Sequence, residues 1–292
     1  MEWIILAFLS AIFSATATIL EKKNLFSLDA LHFSFILALL NMVFSLPFFI
    51  GVDFATISFV SLAVLYFKTI LGALAFLCVM LAIKNMEISG SLPLLVLTPG
   101  IVAVFAFFLI GEALSIYEIG GMFLLLAGTY ILEAKPGYDV FYPFKVFHKS
   151  KFHHFIIFAL LLFTVTSILD KVLLKNYQLP PHIFLGFQQL FLAINFLIIV
   201  LFTNKNPLKL IKSVNRELIV WIILASILTV GYRYTQIEAV KIAPVALVLS
   251  IKRTSVFFAA VGGGRIFNEH NLIKKALATA IMVAGAIIII NG

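Results

Sequence analysis

Thr18-Ile19-Leu20-Glu21-Lys22 closes the first apolar run of the chain, and Ser167-Ile168-Leu169-Asp170-Lys171 closes the sixth. The two pentapeptides share a hydroxyl residue, an Ile-Leu step, a carboxylate and a lysine in one order, about 149 residues apart. Further on, Gly111-Glu112 follows the fourth run as Asn268-Glu269 follows the ninth, and Ala127-Gly128 lies in the fifth as Ala284-Gly285 lies in the tenth, both at an offset of about 157. Order and spacing agree along the chain, which is the signature of an internal duplication.

What is duplicated is a set of membrane segments. Of 292 residues, 63% are hydrophobic and 12% charged, with mean hydropathy +1.14; a soluble domain carries roughly 25% charged residues. Apolar runs fall at 3–20, 31–50, 58–83, 88–110 and 117–132, then at 154–174, 182–202, 218–240, 243–261 and 272–290. A helical span needs about 20 residues and bonds its backbone internally, as lipid demands. The pattern predicts an all-α polytopic membrane protein of ten transmembrane helices. Residues 1–135 form one five-helix repeat, 136–152 a connecting loop and 153–292 the second repeat, the loop lying in the polar stretch EAKPGYDVFYPFKVFHKSKFHH. Five is an odd number, so the second copy enters the bilayer upside down. Inverted repeats of this kind belong to carriers that rock about a central site.

The net charge of +8 is distributed as a topology signal rather than a nucleic-acid surface. Lysines and arginines gather beside the loops after the odd-numbered runs, at Lys22-Lys23, Lys84, Lys135 to Lys151, Lys205 to Arg216 and Arg265 to Lys275, against Lys171, Lys175 and Lys241 on the other side. The positive-inside rule then puts both termini outside the cell membrane. The first run lacks the basic start of a signal peptide and is read as a span. Cys78, the single cysteine, excludes an intrachain disulfide and a cysteine-based zinc site. His148, His153 and His154 are read as loop residues rather than metal ligands. No Walker loop, HExxH or GxSxG is present, so neither nucleotide hydrolysis nor hydrolase chemistry is indicated.

Ser250-Ile-Lys-Arg-Thr-Ser-Val-Phe-Phe258 places two cations about ten residues into the ninth run. A central cation costs about 2.5 to 3.5 kcal/mol on insertion scales, so Lys252 and Arg253 need a reason to be there. The eighth run carries Thr229, Tyr232, Arg233 and Gln236 at helical spacing, and the tight connection near residue 242 sets Arg233 and Lys252 at similar depth. Together with hydroxyls from Thr254 and Ser255, these residues have the composition of an anion site, since arginine grips carboxylate or phosphate as a fork and lysine adds a point charge. The substrate-binding candidates are Lys252, Arg253, Arg233, Tyr232, Gln236 and Ser255. The competing account is internal pairing with Asp170 or Glu238, with Lys68 as one more buried cation. Glu21, Lys22, Asp170 and Lys171, at helix ends, are candidates for gating or for a solvated rim. Gly120, Gly121, Gly128 and Gly262 to Gly264 permit close helix packing, and Pro93, Pro99 and Pro244 mark sites where helical bonding breaks.

Ten spans in two halves, each closing its fourth helix on an acidic residue, resemble the drug/metabolite transporter superfamily in its EamA-like branch. The N-terminal half carries the clearer motif, LTPGIVAVFAFFLIGEALS; the C-terminal half reads LSIKRTSVFFAAVGGGRIFNEHNL, with Arg253 near the expected proline and Asn268 in place of glycine. The resemblance covers essentially the whole chain. Lys252-Arg253 is similar to the pair that phosphate-translocating members carry in the ninth helix, where it contacts the anionic group. Leu95 stands where those members hold a further lysine, four residues before Pro99, which turns the expectation from sugar phosphates toward another anionic or zwitterionic metabolite.

The resemblance implies a secondary transporter, not an enzyme, that exports or exchanges a small polar anionic metabolite by alternating access. It implies no cofactor, leaves a coupling ion open as proton or counter-substrate, and calls for a small-molecule substrate and a lipid bilayer as partners, with no nucleic acid, in a monomer or homodimer. Two alternatives stand beside it. One is an exporter of amino acids or hydrophobic compounds with the cations paired internally; the other is a nontransporting scaffold or lipid-binding protein.

Overall fold

The computed structural model describes residues 2–54, 57–85, 98–133, 151–255, 258 and 272–291. Among these the regular structure is entirely helical: α1 (Glu2–Leu25), α2 (Ala30–Ser45) running into a 3₁₀ turn (Leu46–Phe49), α3 (Phe59–Asn85), α4 (Thr98–Ile110), α5 (Ile116–Glu133), α6 (Lys151–Lys175), α7 (Pro181–Phe202), the short α8 (Pro207–Lys212), α9 (Arg216–Ile242), α10 (Val245–Lys252) and α11 (Leu272–Asn291). Helix starts are written locally. Asn206 precedes Pro207 and accepts from the amides of Leu208 and Lys209, Asn215 accepts from Leu218, and Pro181 opens α7 with a φ already fixed for the helix.

Six helices are long and apolar enough to cross a membrane: α1, α2 with its 3₁₀ turn, α3, α6, α7 and α9. Shorter apolar helices cover Thr98–Ile110, Ile116–Ile131 and Ala280–Ile289. The expectation of ten full spans is thus met by six among the described residues. The fourth, fifth, ninth and tenth runs are the ones that fall short; of the fourth and ninth, 88–97 and most of 256–271 lie outside the described residues, as does the loop at 136–150. The ninth run also differs in kind. Its helix α10 ends at Lys252 instead of running on unbroken.

The helices pack in reciprocal pairs. α1 lies along α9 and α3 along α6; α4 meets α6 as α10 meets α1; α2 meets α7 and α5 meets α11. Exchange of the first helix of each half for the other, and likewise the third, converts each of these pairs into another of the same set. Side chains obey the same exchange. Asn195 of α7 donates to Thr69 of α3 across 3.4 Å, and Ser226 of α9 donates to Asn41 of α2 across 2.6 Å. The offset of 157 carries Thr69 onto Ser226, and the two asparagines hold matching places on α2 and α7.

At the α5–α11 pair the backbones touch. A Cβ on Gly121 would lie 2.6 Å from the carbonyl oxygen of Gly285, and one on Gly128 would lie 2.9 Å from that of Ala278. Residue number rises on one helix as it falls on the other, so the pair is antiparallel. The offset of 157 sends Gly121 to Ala278 and Gly128 to Gly285, and one contact becomes the other. In lipid, where apolar burial gives no drive to association, small residues that let backbones approach supply the packing. The packing role expected for Gly121 and Gly128 is what the structure contains.

Candidate functional site

Asp170 is the centre of a buried charge cluster. It lies five residues before the end of α6 and is 3% exposed. The Lys68 ammonium, from α3, approaches to 2.6 Å and the Arg233 guanidinium, from α9, to 3.5 Å. The sequence offered two accounts of it, a helix-end group at a gate or rim and an internal partner for buried cations. The structure makes Asp170 the counter-ion of two cations, because α6 packs against α3 and also meets α9.

Two glutamine carbonyls extend the cluster. Gln188 Oε1, on α7, accepts from Lys68 and from Arg233, the latter at 2.9 Å. Gln236 Oε1, one turn beyond Arg233, accepts from Arg233 at 3.2 Å and from Lys252 at 2.6 Å. Every partner is a donor, which fixes both amides with oxygen toward the cations. Lys252 Nζ also stands 4.4 Å from the centre of the Tyr232 ring, and Lys68 Nζ 4.9 Å from that of Phe184, distances at which an aromatic face attracts a cation.

Local structure explains why two adjacent cations are tolerated at 252–253. The Arg253 amide bonds the carbonyls of Leu249 and Ser250, and that of Thr254 bonds Ile251, so the last turn of α10 tightens before Phe258 resumes α-type bonding to Thr254. Carbonyls at a helix C-terminus carry partial negative charge that favours lysine and arginine. Arg253 turns away from the Gln236 group and donates to the Thr98 hydroxyl at the start of α4, 3.1 Å off. Ser255, partly buried, makes no hydrogen bond to Lys252 or Arg233 among the described residues.

Of the six predicted binding residues, then, Lys252, Arg233, Tyr232 and Gln236 converge, Arg253 faces α4, and Ser255 stands apart. Lys252 has no carboxylate within 4 Å among the described residues. Arg233 differs from the expectation of an unneutralised clamp, since Asp170 already shares its charge.

The two lysines of the repeated pentapeptides act alike. Lys171, 6% exposed, donates to the carbonyls of Val240 and Ala243 at 2.8 and 2.7 Å, at the end of α9, and pairs with Glu112 at 3.2 Å. Glu112 in turn accepts from the Val245 amide at 2.9 Å, binding the first turn of α10. Lys22 donates to the carbonyl of Ile83 at the end of α3, the position that maps onto Val240. Glu21, 5% exposed, has no hydrogen bond or ion pair within 4 Å among the described residues.

Sequence reasoning missed Gln188 and did not single out Asp170 as the partner of Lys68. The signal for the first was present: Gln188-Gln189 interrupts the apolar FLGFQQLFLAINF of the seventh run, and paired amides inside a span need partners as ions do.

A model of the EamA-like transporter family matches residues 1–133 and 151–291. No curated protein matches the chain. A solved structure titled "Crystal structure of protein" superposes with a TM-score of 0.73 over 98% of this chain and 96% of its own, at 17% identity, a likeness of fold.

Proposed function

The chain belongs to the EamA-like transporter family, and from that premise we propose that it is a secondary carrier of a small polar solute bearing negative charge. It is a multi-pass membrane protein whose ten spans form two inverted five-helix repeats, and it works by alternating access about a central cationic site. The reciprocal helix pairing and the family match in two segments support the repeat. Lys252 carries the substrate reading: a half-buried ammonium held by an amide oxygen and a ring face, with no carboxylate at ion-pair distance among the described residues. Such a cation is costly unless a partner completes it. Gln236 and Tyr232 orient the guest, and Arg233, tied through Gln236, sets the positive field. Lys171 with Glu112, and Lys22, act at the two ends as gates.

Reconstituted vesicles test this. Counter-flow of organic anions is expected, with Lys252→Ala reducing it at least about tenfold by removing one charge contact. Anion flux that is indifferent to Lys252→Ala excludes the reading. The Asp170 pairing with Lys68 and Arg233 favours a second one, in which the cations are internally neutralised and the cargo is an amino acid or a hydrophobic compound; flux of those solutes insensitive to Lys252→Ala is its mark.

A further inference from the structure

Two connections that hold corresponding places in the repeat are built from opposite materials. Residues 46–58, between α2 and α3, contain no lysine or arginine and one acid, Asp53. Residues 203–216, from the end of α7 to the start of α9, contain Lys205, Lys209, Lys212 and Arg216 and no acid. A topology signal asks only for charge beside a span. The second connection has more, because it folds into α8, whose start Asn206 caps by accepting from the Leu208 and Lys209 amides.

α8 sits at the level where hydrocarbon gives way to water. α7 runs for 22 residues, about 33 Å at 1.5 Å per residue against a hydrocarbon core of about 30 Å, so the chain leaves lipid near Phe202. Asn204, with a φ of 55°, turns it there, and α9 sets off again from Arg216. Trp221, partly buried with the Lys23 ammonium 3.5 Å from its ring centre, marks the same level, as interfacial tryptophans do. α8 packs against α2 and α7. Leu210, and Val214 just after the helix, turn onto the core, and His32 Nε2 donates to the Leu210 carbonyl at 2.8 Å. The outward face is apolar and basic at once: Leu208 is 67% exposed and Ile211 45%, and all four cations are exposed. Among the described residues the carboxylate at ion-pair distance from these cations is Asp29, 4.0 Å from Lys205 and already 2.7 Å from Lys84.

We propose that α8 and its flanks form a docking face for anionic phospholipid. Lys205, Lys209, Lys212 and Arg216 meet headgroup phosphates, while Leu208, Ile211 and the end of α7 enter the acyl boundary. Apolar anchors beside cations within reach of headgroups are what hold a helix in the plane of an anionic interface. A soluble anion leaves Leu208 and Ile211 in water. An isologous contact with a second copy of this chain sets the same positive charges against one another. Lipid answers both the charge and the apolar face. His32 and Asp29 fasten the occupied face to α2 and to Lys84 of α3, so that bound lipid braces this end of the bundle, whatever the cargo at Lys252.

Trp3→Phe leaves Trp221 as the one tryptophan, about 8 Å beyond Arg216 along α9. The full-length W3F protein in detergent is titrated with phosphatidylglycerol or phosphatidylcholine carrying the same brominated chains, and quenching of Trp221 is read. Half-quenching is expected at a concentration of phosphatidylglycerol at least about fivefold below that of phosphatidylcholine, a preference that shrinks as salt rises. Adding K205Q/K209Q/K212Q/R216Q should abolish the preference while quenching by phosphatidylcholine persists. L208S/I211S should weaken quenching by both lipids. Should the fourfold variant not fold, K209Q/K212Q decides by lowering the preference or leaving it intact. The proposal is overturned by equal quenching from both lipids in the W3F parent, by a preference that survives neutralisation, or by quenching unchanged in L208S/I211S. Inorganic phosphate that displaces phosphatidylglycerol at equal concentration makes the face a soluble-anion site and overturns it as well. So does loss of a dimer on neutralisation, seen by light scattering without any lipid preference, which assigns the face to a second copy.

Discussion

The pentapeptides at 18–22 and 167–171 differ by one methylene in their acids, and their lysines behave alike. Each lysine donates to a last-turn carbonyl of a helix from its own half, Lys22 to Ile83 on α3 and Lys171 to Val240 on α9. The acids have separated. Asp170 neutralises two cations, whereas Glu21 is left with none at ion-pair distance among the described residues. Duplication thus preserved the residue that ties helices together and released its neighbour. A backbone carbonyl is present whatever the side chain, so the lysine contact survives sequence drift. A carboxylate contact depends on what stands at 68 or 225, and at 233 or 76, and there the halves diverged.

Asp170→Asn should break the comparison most violently. It strands Lys68 and Arg233 in the interior, at a cost of about 3 to 5 kcal/mol, read as a large drop in thermal unfolding midpoint in detergent. Glu21→Gln strands nothing and should cost far less; equal losses would mean that the two acids are equivalent after all. Next in size is Lys171→Met, which removes a donor from two carbonyls and from Glu112 and should cost about 1.5 to 3 kcal/mol. Lys22→Met should follow it in direction, and a denaturant series on both sharpens how alike the two ends are.

The smallest effect is expected at the exposed Asp29, whose carboxyl Lys84 holds below the usual range by a hydrogen bond and by its charge. A depressed acid adds stability above its unfolded pKa and loses it as pH falls through the folded value. Asp29→Asn should therefore flatten the dependence of the unfolding midpoint only below about pH 4. With the side chain largely in solvent, the change should be slight.

Much of this was legible in the residues themselves. The duplication was readable because Glu-Lys and Asp-Lys, Gly-Glu and Asn-Glu, and two Ala-Gly steps recur in order. The gathering of Arg233, Gln236 and Lys252 was readable because a tight turn after residue 242 mirrors positions about equally distant from it. What stayed hidden depends on partners far apart in sequence. Nothing in the third run says that Lys68 will meet Asp170 across 102 positions, and hydropathy cannot show that α10 tightens at Lys252. Asp170 stood open between a helix end and an internal partner for a related reason. Its distance from the end of the run suggested an interface, while the depth of a group in a bundle is set by how far the neighbouring helices rise beside it.

The contact between Gly121 and Gly285 has a kinematic meaning. The exchange of the two halves carries it onto the Gly128–Ala278 contact, so the axis relating the halves passes between the two. In a carrier that rocks as proposed, such a seam of bare backbone would travel least while α1 with α9 and α3 with α6 swing on either side, like the rivet of a pair of shears.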